Sequence, residues 1–153
     1  MKRIEVKLAL PVVAPLLDVI KEMSDGLRTT LAAPMAMKEL DPDFHAAWVD
    51  DLLEHQNTDV KRLLGLFDGQ FFSEGVIAFD EQNAEVIVRA CAAVRLQLRD
   101  RHLKSLPDET LEGGEVELLT LPEALRKAFM CYLFLATLQE LIIQHLQESM
   151  LGA

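Results

Sequence analysis

The alternation of apolar and polar positions is clearest in the last third of the chain, where Pro122 to Met150 predicts one long helix. Its middle, Ala128 to Leu138, is nearly unbroken hydrocarbon. A helix with one wet face shows polar residues every third or fourth position. This one does not for about three turns, so it should be surrounded by the rest of the fold. Thr120 stands three residues before Glu123, a capping-box spacing, Pro122 falls where its missing N–H costs nothing, and Gly152 lies past the end. Gln139 and Glu140 interrupt the run short of the roughly 18 apolar residues of a membrane span. The segment therefore reads as the central helix of a soluble bundle.

Earlier in the chain the period changes. Ile4, Val6, Leu8 and Leu10 alternate with Arg3, Glu5, Lys7 and Ala9, which predicts a strand with one wet face, ended by Pro11. Val13, Leu16, Leu17, Ile20, Met23, Leu27 and Leu31 recur at three and four, predicting a helix over 12–32 with Pro15 in its first turn. After a linker over 33–43, a helix is predicted from Phe44 to Phe67, with Asp43 as its cap and Trp48, Leu52, Leu63, Leu64 and Phe67 on its buried side. Gln56-Asn57-Thr58-Asp59 competes for backbone hydrogen bonds, so a split there is the alternative. Asp68 to Gly75 reads as a turn and loop, Val76–Phe79 as a short strand, and Glu81–Leu103 as a helix capped by Asp80, with Ile87, Cys91, Val94 and Leu98 as its stripe. Val116–Leu119 is a third possible strand.

The fold class expected is mostly α: a single domain over 1–153, with four to five helices bundled around the long apolar C-terminal helix. A small two- or three-stranded sheet sits at one edge, acceptable where a helix covers it.

Composition narrows the function classes. The chain of 153 residues carries 25 acidic and 15 basic side chains, a formal charge of −10, which works against a nucleic-acid backbone as partner. Asp41, Asp43, Asp50, Asp51 and Glu54 form one acidic stretch, and Asp108, Glu109, Glu112, Glu115 and Glu117 another. Each reads either as a solvated face or as a dock for a basic partner. Lys2 and Arg3 lead into a charged alternating segment and not an apolar one, so no signal peptide is expected and the cytoplasm is the expected location. Cys91 and Cys131 lie in apolar helical stretches and read as free, buried thiols. The four histidines are scattered, so no metal site and no cofactor is expected.

Polar residues in apolar company are the candidates for a site. Arg95, Tyr132 and Gln139 each have hydrophobic helical neighbours, and buried polar groups need partners. Arg95 is expected to meet Gln139 or Glu140 across the two core helices, and Arg89 to pair with Glu85 or with a carboxylate elsewhere. These five residues (Arg89, Arg95, Tyr132, Gln139, Glu140) are either a structural network or the lining of a pocket. Trp48, Phe71 and Phe72 are the candidates for an interaction surface, because adjacent phenylalanines in a loop are hard to bury together. No nucleophile has a histidine at helical reach, and no catalytic residue is assigned.

Two stretches resemble an uncharacterised, mainly actinobacterial family catalogued as a domain of unknown function. Ile87-Val-Arg89-Ala-Cys-Ala-Ala-Val-Arg95-Leu-Gln-Leu98 is similar to that family's Trp-Leu-Arg-Ala-Leu-Asn-Asp-Leu-Arg-Leu, which puts Arg89 and Arg95 on its two arginines. Tyr132-Leu-Phe-Leu-Ala-Thr-Leu-Gln139-Glu140 resembles its Tyr-Asp-Trp-Leu-Thr-Trp-Leu-Gln-Glu. The chain departs from it at Ile87, Ala92, Ala93, Leu133 and Thr137, where the family has Trp, Asn, Asp, Asp and Trp. The resemblance implies no known activity or cofactor. The family's gene often neighbours one for an adaptor of ATP-dependent proteolysis, which implies a role near protein degradation.

The expected function is a non-enzymatic cytoplasmic helical protein that binds another protein or itself, as an accessory or regulatory factor or a homodimer, with neither nucleic acid nor membrane as partner. The alternative is a small-molecule or peptide-binding module with its pocket between helices 81–103 and 122–150.

Overall fold

The computed structural model describes residues 3–33, 41–113 and 120–151. Its elements are β1 (Ile4–Lys7), α1 (Leu10–Val13), a 3-10 turn (Ala14–Leu16), α2 (Leu17–Gly26), α3 (Pro42–Leu64), α4 (Gly69–Glu74), β2 (Val76–Phe79), α5 (Ala84–Arg101), α6 (Asp108–Gly113) and α7 (Glu123–Leu151). Four longer helices, α2, α3, α5 and α7, carry the core, and α5 is packed between α3 and α7. The mostly helical class, the long apolar C-terminal helix and the small sheet are as the sequence predicts.

β1 and β2 pair antiparallel, with Ile4 opposite Phe79 and Val6 opposite Ile77. The alternation read in β1 is real: Ile4 and Val6 are half-buried against the core while Glu5 and Lys7 are exposed. One further backbone bond, Leu8 N to Gly75 O at 2.7 Å, ties the end of α4 to the sheet. Gly75 has φ of 72°, and a Cβ there would stand 2.8 Å from the Leu8 carbonyl oxygen, so both the backbone conformation and the close approach require glycine.

Asp68 to Gly75, expected as a loop, is the helix α4. The Asp68 carboxylate accepts from the N–H of Gln70 at 3.0 Å and of Phe71 at 3.2 Å, which satisfies the first turn. Successive helical residues are about 100° apart, and that separates the two phenylalanines. Phe71 is fully buried, edge-on to Phe67 with ring centroids 5.2 Å apart, whereas Phe72 is 56% exposed. Phe71 therefore belongs to the core and not to an interaction surface.

The first helical region begins at Leu10, earlier than expected, and ends at Gly26. Pro11 and Pro15 are both accommodated at the starts of short segments, where no N–H is needed. Gly26 faces α5 so closely that a Cβ would lie 2.9 Å from Gln97 Nε2.

α3 is one helix without a split at Gln56–Asp59. Its cap is Asp41, whose carboxylate accepts from Asp43 N at 2.9 Å, and not Asp43. The polar cluster leaves the helix intact because its amides bond elsewhere. Gln56 Nε2 donates to the carbonyls of Leu27 at 2.8 Å and Thr30 at 3.0 Å, Gln56 Oε1 accepts from Ala32 N at 2.9 Å, and Asn57 Nδ2 donates to Arg28 O at 3.2 Å. These bonds pin the end of α2 and the chain leaving it onto α3.

α5 begins at Ala84, not Glu81. Asp80 instead closes the preceding turn, accepting from Gln82 N at 2.9 Å and Asn83 N at 3.3 Å. Its stripe of Ile87, Cys91, Val94 and Leu98 is fully buried, as predicted. In α7, Phe129, Cys131, Leu135 and Ile142 are fully buried, while Met130, Leu133 and Phe134 are half-buried and Thr137 and Ile143 are exposed, so the helix buries one face and is not surrounded as its apolar run predicts. By length and composition alone, Glu123–Glu148 passes the test for a membrane span, with a mean hydropathy of 1.3 over its best window. A core helix of a folded domain passes the same test, and here its apolar side chains meet α5 and α2. The possible third strand at 116–119 lies outside the described residues.

Candidate binding groove

The polar side chains of the core seam find one another. Arg95 Nη1 donates to Gln139 Oε1 at 2.7 Å, and Gln139 Nε2 donates to Val88 O at 3.0 Å. The Arg95 guanidinium carbon lies 4.4 Å from the centroid of the Tyr132 ring, which supplies a π face to the cation. Arg95 Nε is buried without a hydrogen-bond partner. The partner among the two expected is thus Gln139. Glu140 points outward on α7, beside Thr137, Gln144 and Gln147. Arg95, Tyr132 and Gln139 engage each other between α5 and α7 where the alternative reading expected them to open a pocket.

Arg89 does the corresponding job on the other flank of α5. Its Nε and Nη2 donate to Asp59 Oδ2 and Oδ1 of α3 at 3.0 and 3.1 Å, a two-pronged pair. The hydrogen bonds it donates to Asp59 push the Arg89 pKa further up, against a smaller opposing effect of burial, and the charges of Asp59 and Glu85 add to it. Two arginines on one helix therefore tie α5 to both of its neighbours.

The α3–α5 flank also carries an apolar groove of about 450 Å³. Leu52, His55, Gln56 and Asp59 form one wall, Arg89, Ala92, Ala93 and Leu96 the other, and Leu31–Ala33 close one side. The spacing accounts for it. Residues 48, 52, 55–56 and 59 share one face of α3, and 89, 92–93 and 96 share one face of α5. The small side chains of Ala92 and Ala93 leave the floor open, and Leu96 remains 42% exposed beside it.

The apolar wall continues along α3 toward its N-terminus. No residue from Pro42 to Leu53 is buried; the buried positions of α3 are Val60 and Leu63. Phe44 is 55% exposed and Trp48 39% exposed, and their rings meet edge to face with centroids 5.7 Å apart. Of the residues expected on the buried side of this helix, Leu52 is half-buried in the groove wall and Trp48 is exposed, prolonging the apolar stripe along α3. Asp43, Asp50, Asp51 and Glu54 make no ion pair among the described residues. Asp51, three residues after Trp48 and four before His55, borders the apolar stripe directly.

A second, more polar cleft of about 300 Å³ lies along β2, where Arg3, Lys61 and Arg62 approach the strand. The carboxylates on its wall, Asp68 and Asp80, are occupied by backbone N–H groups of the turns they cap.

Of the residues singled out in the sequence, Arg89 and Trp48 belong to the groove and its extension. Phe72 is exposed on α4, away from the groove's lining. Sequence reasoning missed Phe44, Gln56, Ala92, Ala93 and Leu96. Phe44 had a signal, its i, i+4 spacing to Trp48 beside uncompensated carboxylates. Among the described residues no three His, Cys, Asp or Glu side chains are grouped to hold a metal. Compared with family models, curated proteins and solved structures, the chain finds no match.

Proposed function

We propose that the chain is a non-enzymatic protein-interaction domain whose binding surface is the α3–α5 groove together with the N-terminal half of α3. The observation that carries this reading is the exposed pair Phe44 and Trp48, on a half-helix with no buried residue, continuous through half-buried Leu52 with an apolar groove. Exposed apolar area of this kind, rimmed by charge, marks contact surfaces. Large aromatic anchors carry most of the binding energy where such surfaces are used. The role is an accessory or regulatory one in the cytoplasm, and the resemblance of α5 and α7 suggests a setting near protein degradation.

Affinity capture with tagged wild type, Trp48→Ala and Leu96→Asp baits tests the reading. A specific partner retained by wild type and lost by both variants is the expected result. A set of partners indifferent to both substitutions would remove the groove from consideration. Sedimentation of the protein alone distinguishes a second copy as the partner, since a homodimer through this face would dissociate in the Leu96→Asp variant.

A further inference from the structure

We infer that the occupant of this surface is a basic amphipathic helix supplied by another protein; the inference rests on the groove reading above and names its partner class. The shape argues for a helix. The groove is a trough between two helices, extended by Pro42–Leu53, about 18 Å of exposed helix at 1.5 Å per residue. That length suits about three turns of a partner helix presenting anchors at i, i+3, i+4 and i+7. The small floor residues Ala92 and Ala93 admit bulky anchors between Leu52 and Leu96.

The charge argues for a basic partner. From Asp41 to Val60 the chain contains no lysine or arginine. Of its carboxylates, Asp59 is neutralised by Arg89, and Asp41 caps its own helix. Asp51, about 60° round the helix from Trp48, borders the apolar stripe without a paired cation, and Asp43, Asp50 and Glu54, further round on the solvent side of α3, add to the negative field along this helix. An isolated helical face of this sign repels like charge and attracts cations along its length.

The same charges oppose the other occupants. Two copies of this chain laid face to face would bring together two helices of the same negative sign, with Asp51 at the rim of each stripe. Anionic lipid and nucleic-acid backbones meet the same repulsion. A helix with lysines or arginines flanking its apolar stripe would satisfy both features at once.

The test uses two synthetic helical peptides of about 14 residues with identical leucine stripes, one with lysines and one with glutamates at the remaining positions. Trp48, the single tryptophan of the chain, reports binding by its emission. The lysine peptide is expected to bind at least about tenfold more tightly than the glutamate peptide, and to weaken as salt is raised. Replacing Asp50, Asp51 and Glu54 with Asn, Asn and Gln should remove most of that preference. Replacing Glu109 and Glu112 with Gln, on the acidic α6, should not. Leu96→Asp, at an already exposed position, should abolish binding of both peptides while circular dichroism stays unchanged. Equal binding of both peptides, still lost in Leu96→Asp, would overturn the charge inference and leave the groove reading standing. Binding that survives Leu96→Asp, or is lost equally on neutralising α6, would overturn both.

Discussion

Arg95 on α5 donates to Gln139 on α7 at 2.7 Å, and the same amide donates to the backbone carbonyl of Val88, so one side chain fixes both the partner and the register of the two core helices. Gln139→Leu should cost about 1–3 kcal/mol in urea unfolding, because it leaves a half-buried guanidinium without its acceptor and removes the second bond to the Val88 carbonyl. Replacing both, with Arg95→Met and Gln139→Leu, should recover most of that loss. Arg89→Ala removes a mostly exposed arginine but leaves Asp59, 16% exposed, without its two hydrogen bonds, and should cost about 1–2 kcal/mol. An undiminished midpoint for Gln139→Leu would show that the seam is held by its apolar contacts alone.

Gln56 makes three hydrogen bonds to the backbone between Leu27 and Ala32. Gln56→Ala should destabilise the protein by about 1–3 kcal/mol, since it removes three part-buried or exposed bonds that hold residues 27–32 against α3. The effect should be local first. Amide hydrogen exchange over residues 27–33 should accelerate more than exchange over α5, and uniform acceleration would contradict the pinning role.

The adjacent phenylalanines should behave as opposites. Phe71→Ala removes a fully buried ring and should cost about 3–5 kcal/mol. Phe72→Ala, on the exposed side of the same short helix, should stay within about 1 kcal/mol. Thermal unfolding of the two variants side by side measures the difference, and equal losses would mean that α4 does not turn as described.

Cys91 and Cys131 give a pH dependence with a definite sign. Burial pushes both thiols up to about 12 from an ordinary value of 9.0, an effect that the nearby Arg95 charge partly offsets for Cys91 and the Lys127 charge for Cys131. The folded chain therefore keeps protons that the unfolded chain loses between about pH 9 and 12. The stability tied to these thiols is fully present below about pH 9 and falls as pH rises through that window, by up to about 1.4 kcal/mol per pH unit for each thiol. Urea unfolding followed into the alkaline range, with Cys91→Ala and Cys131→Ala flattening the slope, checks it. At neutral pH both thiols should resist a disulfide reagent until the protein unfolds.

What the chain determined alone was set by neighbours within a few turns. The period-two run of β1, the stripes of α5 and the apolar length of α7 were legible because a helix or strand places its own residues on faces without outside help. That Arg95 would meet Gln139 or Glu140 was legible for a related reason, since a charge among hydrophobic positions demands a partner and few were within reach; the structure chose Gln139. Tertiary structure decided whatever depended on distant atoms. Gln56 and Asn57 looked like a helix breaker because local competition for backbone hydrogen bonds is all that a sequence window contains, yet their acceptors lie on the chain leaving α2. Trp48 and Leu63 belong to the same amphipathic helix, and only the other helices determine that the core covers Leu63 and ends before Trp48. The apolar pattern fixes which face seeks cover; the length of the surrounding helices fixes how much of it is covered, and the uncovered remainder of α3 is the surface left for a partner.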